Sequence, residues 1–140
     1  MTVDEKLAPY GALVLRLGLG SMWISHALLK WFVITIPGLA GWLGTQGLPS
    51  ALAWPLFIAE LVGGVAIILG FYGRQVSLVL IPILLIATWV HFPNGWAHTN
   101  QGGGWEYPLF LAVVSFAYGL IGNGAFALGS SRREGTLRKT

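Results

Sequence analysis

Apolar residues fall into four runs, at about 11–36, 51–70, 75–92 and 105–120, separated by stretches rich in glycine, proline or polar residues. At ~1.5 Å of rise per helical residue, about 20 such residues cross an apolar core of ~30 Å, so each run predicts a membrane-spanning helix. Residues 1–10 form a short polar lead, with Pro9 suited to a helix start. The charge-free connection from Pro37 to Ser50 reads as a loop with room for a short interfacial helix anchored by Trp42. The segment Phe71–Arg74 (FYGR) is a tight turn that makes spans two and three antiparallel neighbours. Pro82 is a kink site in span three, and Gly122, Asn123 and Gly124 end span four. A basic tail occupies 125–140.

Composition sharpens this picture. Hydrophobic residues make up 55% of the chain and charged ones 9%, with a mean hydropathy of +0.71; ordinary soluble domains are about 25% charged. The expected fold is therefore all-α, an integral membrane four-helix bundle, and 140 residues leave no room for a second domain. The absence of cysteine excludes disulfides, a thiolate nucleophile and a cysteine-ligated iron–sulfur cluster. The basic pI reflects the tail residues Arg132, Arg133, Arg138 and Lys139, a cytoplasmic flank and not a nucleic-acid patch. No removable signal peptide is expected. The tail and Arg74 are basic, whereas the other two connections have no Lys or Arg, so the positive-inside rule puts both termini in the cytoplasm. The expected location is the inner membrane, with the lipid bilayer as solvent and most tryptophans toward the outer face.

Between Gly11 and Gly129 only Arg16, Lys30, Glu60, Arg74 and Glu106 are charged. Charges within spans are costly, so they pair, line pathways or do chemistry. On the first helix Lys30 lies about 40° from His26, and Arg16 lies about 80° from it, which puts all three on one inward face. By helix rise, Arg16 and Glu60 differ in depth by about 8 Å, which predicts an internal ion pair between them. Lys30 is either a snorkelling residue or a pocket residue at the level of His91 and Glu106. In the second case His26, Lys30, His91 and Glu106 form a polar site at the outer face, with Asn94, Trp96 and Trp105 beside it. A cation, imidazoles and a carboxylate under an aromatic rim suit a quinone headgroup. Histidine exchanges protons near neutral pH, a carboxylate can relay them, and Lys30 can polarise a carbonyl. None of these groups carries electrons, so a redox role needs a cofactor or a partner subunit.

Other chemistries fit less well. The spacing of His91, His98 and Glu106 matches no standard zinc site, and a metal at His26, His91 and His98 is a weak alternative. Haem held by His26 and His91 is a further competing reading; haem and metal are both less expected than quinone. Gly102–Gly104 lacks the Lys-Ser/Thr of a phosphate loop, and no Ser, His and acid arrangement is indicated.

Five ordered motifs, RLGLGSMWISHALLKWF (Arg16 to Phe32), GLPSALAW (Gly47 to Trp54), AELVGGVAIILGFYGR (Ala59 to Arg74), VHFPNGW (Val90 to Trp96) and GGGWEYPLFL (Gly102 to Leu111), together resemble the DoxX family of small bacterial membrane proteins. The resemblance runs from about Arg16 to Gly124 and implies four transmembrane helices. It places Arg16, His26, Lys30, Glu60, Gly63, Gly64, Arg74, His91, Asn94, Gly95 and Glu106 at the family's characteristic positions, with Ala27 where a glycine is expected. Some members are named as subunits of a thiosulfate:quinone oxidoreductase or a quinol oxidase. The resemblance therefore implies a membrane subunit of a quinone-linked oxidoreductase, acting with a partner subunit or as a homo-oligomer. A non-catalytic anchor or assembly partner with purely structural charges is the alternative. A small transporter is weaker, because no inverted repeat or broken-helix pair is evident.

Overall fold

The computed structural model describes residues 3–129. The basic tail residues Arg132, Arg133, Arg138 and Lys139 lie outside the described residues. Five α-helices follow one another: α1 (Ala8–Leu29), α2 (Ile36–Thr45), α3 (Ala53–Leu69), α4 (Gly73–His91) and α5 (Glu106–Ile121). No strand occurs among the described residues. Among the described residues, and with their attached helical turns, three units are long and apolar enough to cross a membrane: Ala8–Ile34, Ser50–Leu69 and Gly73–Asn94. At 16 residues α5 is shorter, about 24 Å by helix rise, and a short apolar helix is accommodated by local bilayer thinning or by its flanks. The chain is a membrane protein built as a helical bundle.

The apolar run 11–36 is not one uniform helix. After Leu29 the backbone widens into a π-turn over Lys30–Ile34, and Thr35 (φ 64°, ψ 154°) then breaks the helix. Thr35 also starts the next one: its hydroxyl accepts from the Gly38 N–H at 3.2 Å, with Pro37 in the first turn of α2. The Pro37–Ser50 connection is thus mostly helical, and α2 contains Trp42. Ile36, Leu39 and Leu43 of α2 bury against Ala53 of α3 as a separate small core.

α1 packs most extensively on α3 and α4 on α5, with α3 against α4 joining the two pairs. Two adjacent glycines make α3 the centre. A Cβ on Gly64 would stand 3.0 Å from the Gly20 carbonyl oxygen of α1, whereas a Cβ on Gly63 would meet Leu80 of α4 at 2.7 Å. Without side chains at these points the backbones approach closely, which favours helix association in lipid. Gly70 ends α3 in the left-handed region (φ 68°); Phe71 N–H donates to the Ala66 carbonyl and Gly70 N–H to that of Ile67, a Schellman stop. The main core comprises Leu19, Trp23, Ile67, Leu80, Leu84, Leu111, Ala112 and Tyr118. Outward positions such as Phe32, Val79 and Phe110 are apolar and exposed, as a lipid-facing surface requires.

The segment after α5 returns over the ends of α1 and α3. Ala125 N–H donates to the Pro9 carbonyl and Leu128 N–H to that of Leu69. Arg16, 2% exposed, fastens this return: Nη1 donates to the Asn123 carbonyl at 3.0 Å, and Nη2 donates to those of Ala125 (3.1 Å) and Phe126 (3.5 Å). The expected Arg16–Glu60 ion pair does not form. Arg16 is spent on backbone carbonyls at one end of the bundle, and Glu60 takes a different cation.

Candidate functional site

Glu60 is buried at the middle of α3, and its partner is Lys30. The ammonium lies 2.7 Å from Oε2 and 2.9 Å from Oε1. Lys30 opens the π-turn that ends the first crossing; such widened turns occur often at functional sites. An ammonium has three donors, so at least one N–H of Lys30 stays uncommitted.

One turn before Lys30 on α1, the His26 ring makes a 3.0 Å hydrogen bond from Nδ1 to the Met22 carbonyl. The ring stacks on Tyr107 of α5, with centroids 5.8 Å apart. On α4, His91 Nδ1 bonds to the Ala87 carbonyl at 2.8 Å, and its ring centroid lies 6.1 Å from that of Trp42 on α2. A carbonyl only accepts, so Nδ1 must carry the proton in both rings. In the neutral ring Nε2 is then a bare acceptor, and in both histidines it makes no hydrogen bond among the described residues.

These groups share a cavity of about 650 Å³ whose wall includes Trp23, His26, Lys30, Glu60, His91 and Tyr107. Otherwise it is mostly leucine and isoleucine from all five helices, with His98 and Gly102–Gly104 at the loop. Gly103 (φ 78°) keeps the loop close to the His91 ring: a Cβ there would touch Cδ2 at 3.5 Å. Trp23, which the charge pattern does not point to, is 2% exposed and its indole Nε1–H has no hydrogen-bond partner among the described residues. Tyr107 and Trp42 were likewise not assigned to the site. The i, i+3, i+7 spacing of Trp23, His26 and Lys30 was the available signal.

The structure brings together His26, Lys30 and His91 of the expected site, and adds Glu60. Glu106 stands outside the cavity wall. Its Oε1 accepts from the His98 backbone N–H at 2.9 Å and lies 2.8 Å from His98 Nδ1, at the exposed entrance of α5. Asn94 builds the loop: its Nδ2 donates to the carbonyls of Gly102 (3.1 Å) and Gly103 (2.9 Å). Trp96 and Trp105 stack edge to face at 4.5 Å beside the loop and do not line the cavity. Among the described residues no three His, Cys, Asp or Glu side chains gather as metal ligands, so His26, His91 and His98 do not form the metal cluster weighed from sequence.

No curated protein and no solved structure matches the chain. The match to the family model ends at Pro93, before most of the loop after His91 and before α5, so the roles of Asn94, Trp96, Trp105 and Glu106 rest on their own geometry. It covers residues 11–93, including Trp23, His26, Lys30, Glu60 and His91, and on that match the chain belongs to the DoxX family.

Proposed function

We propose that this protein is the quinone-binding membrane subunit of an oxidoreductase, with the headgroup held between α1 and α4. The observation that carries the reading is the pairing of committed and uncommitted polar groups in one mostly apolar cavity. Two imidazoles are fixed by their own helices so that Nε2 faces no protein partner, beside a Lys30 donor and the unpartnered Trp23 N–H. A quinone–quinol headgroup answers both needs, since its hydroxyl form donates to Nε2 and its carbonyl oxygens accept from Lys30 and Trp23. Apolar walls with a few convergent polar groups are the usual build of a small-molecule site.

A bound quinone supplies the electron-carrying ring, which this chain lacks. The residues supply the rest. Nε2 of His26 and of His91 are positioned to take a proton from a ligand hydroxyl or return one. Glu60 neutralises Lys30 and holds its ammonium at the wall, where the remaining N–H can face a ligand oxygen. Trp42 and Tyr107 flank the two imidazoles. In this reading the protein sits in the bacterial inner membrane, with the Arg74 turn and both termini cytoplasmic and the loop after His91 outside. Electrons reach the site from a partner subunit.

The test is extraction of lipophilic ligands from protein gently purified out of its native membrane. Stoichiometric quinone, lost on His91→Phe while the helices stay folded, is the expected result. A folded protein that neither retains nor rebinds quinone would put the anchor reading first.

A further inference from the structure

We infer that Trp23 is a ligand-binding residue, its indole N–H donating to an oxygen of the headgroup at the floor of the cavity; this rests on the quinone-site reading above. Trp23 belongs to the main core and is almost fully buried, so its ring has a packing role that any large apolar residue could fill. Its N–H is different. Buried indole N–H groups normally find an acceptor, because an unpaired donor in an apolar interior costs free energy. Here the donor has none among the described residues, and the residue lies in the wall of the cavity that also holds His26, Lys30 and His91.

The helix places this donor usefully. Trp23 precedes His26 by three residues and Lys30 by seven, so the three share a face of α1, with Trp23 about 4.5 Å below His26 along the axis. One face thus offers a donor below, an acceptor at His26 Nε2, and a second donor at Lys30 above. A ring bearing carbonyl and hydroxyl oxygens satisfies this order, its oxygens accepting from Trp23 and Lys30 and its hydroxyl donating to Nε2, whereas a purely apolar lipid chain leaves the Trp23 donor unpaired. The recognised class is therefore an oxygen-bearing aromatic headgroup, with one oxygen acting as acceptor toward Trp23.

The experiment uses the full chain in lipid nanodiscs and two probes: a short-chain alkyl benzoquinone and the same alkylbenzene without ring oxygens. In Trp23→Phe, which keeps the ring and removes the donor, affinity for the benzoquinone should fall about tenfold. Affinity for the oxygen-free probe should not change, and the ligand-free variant should melt no lower than the parent. Equal benzoquinone affinity in parent and variant would overturn the inference while leaving the quinone site intact, a water then serving the N–H. Failure of the parent to bind benzoquinone would overturn both. Should Trp23→Phe not fold, the parent labelled with ¹⁵N-tryptophan decides. A downfield shift of the Trp23 indole proton on adding benzoquinone supports the role, and an unmoved resonance sinks it.

Discussion

Lys30 Nζ bonds both carboxylate oxygens of Glu60, at 2.7 and 2.9 Å, across the α1–α3 packing. Glu60 retains 5% of its side-chain exposure and Lys30 16%. The pair therefore ties Glu60, the only buried acid among the described residues, to a residue on the cavity wall, and links the π-turn to the centre of α3. Breaking one partner strands the other in an apolar interior, at a cost of about 3–5 kcal/mol. Lys30→Met should lower unfolding stability by roughly that amount. Lys30→Met with Glu60→Met together should recover most of it, since two apolar residues leave no orphaned charge. A double-mutant cycle in detergent, read by denaturant or thermal unfolding, measures the coupling; strictly additive losses would refute it.

That pair is also what helix geometry alone does not reveal. Hydropathy marks the spans because lipid exposure demands uninterrupted apolar runs, and the shared face of the first helix together with the common outer level points to His26, Lys30 and His91, which the family motifs then also contain. Depth along ideal helices pairs Arg16 with Glu60 only if opposite charges are each other's best partners, which they are not here. Arg16 instead meets backbone carbonyls of residues 123, 125 and 126, and a carbonyl leaves no mark in a sequence. The break at Thr35 had a mark: a threonine two residues before a proline is a helix-start signature inside an apolar run. The free edge of Trp23 had none, since an unpartnered donor is a property of the packed interior alone.

Arg16 and Asn123 together hold the return segment. Asn123 Oδ1 accepts from Tyr118 OH at 2.9 Å and from the Arg74 N–H at 3.0 Å, while its Nδ2 reaches the Gly70 carbonyl at 3.3 Å. Asn123→Ala removes all three and should cost about 1–3 kcal/mol. Arg16→Met frees the carbonyls beyond Asn123. In both variants hydrogen exchange should rise at Ala125 and Leu128, whose N–H groups bond to Pro9 and Leu69. Benzoquinone affinity should be unchanged, because the cavity wall does not include these residues. Unaltered exchange would show that the return segment holds without them.

The glycines of α1 and α3 differ sharply in what they face. A Cβ on Gly64 would press on the Gly20 carbonyl and the Ile24 backbone N, each at 3.0 Å, whereas a Cβ on Gly18 meets nothing within 4 Å. Gly64→Ala should therefore force α1 from α3 and lower stability by about 1–3 kcal/mol. Gly18→Ala should be neutral or stabilise by about 0.5–1 kcal/mol through helix propensity. Melting temperatures of the two variants, in the same detergent, compare them directly. Equal effects would mean that backbone contact between α1 and α3 is not what Gly64 provides.

Glu106 separates a loop brace from a site residue. Its carboxylate holds the His98 backbone N–H and ring at the start of α5, outside the cavity wall. His98 itself reaches that wall, as do Gly102–Gly104, which Asn94 secures independently through two carbonyls. Losing the Glu106 contacts should therefore loosen the loop without removing any cavity group. For Glu106→Gln, whose amide oxygen can still accept from the backbone N–H, exchange at the His98 amide should rise only modestly. For Glu106→Ala it should rise strongly, while benzoquinone affinity stays within about twofold of the parent in both, the margin of one weak surface contact. His91→Phe is the contrasting variant: it keeps a ring against Trp42 but removes Nε2, and should lose binding of the reduced benzoquinol, whose hydroxyl donates to Nε2, with the loop amides unaffected. An affinity loss in Glu106→Gln as large as that in His91→Phe would return Glu106 to the site and make its carboxylate part of the proton path.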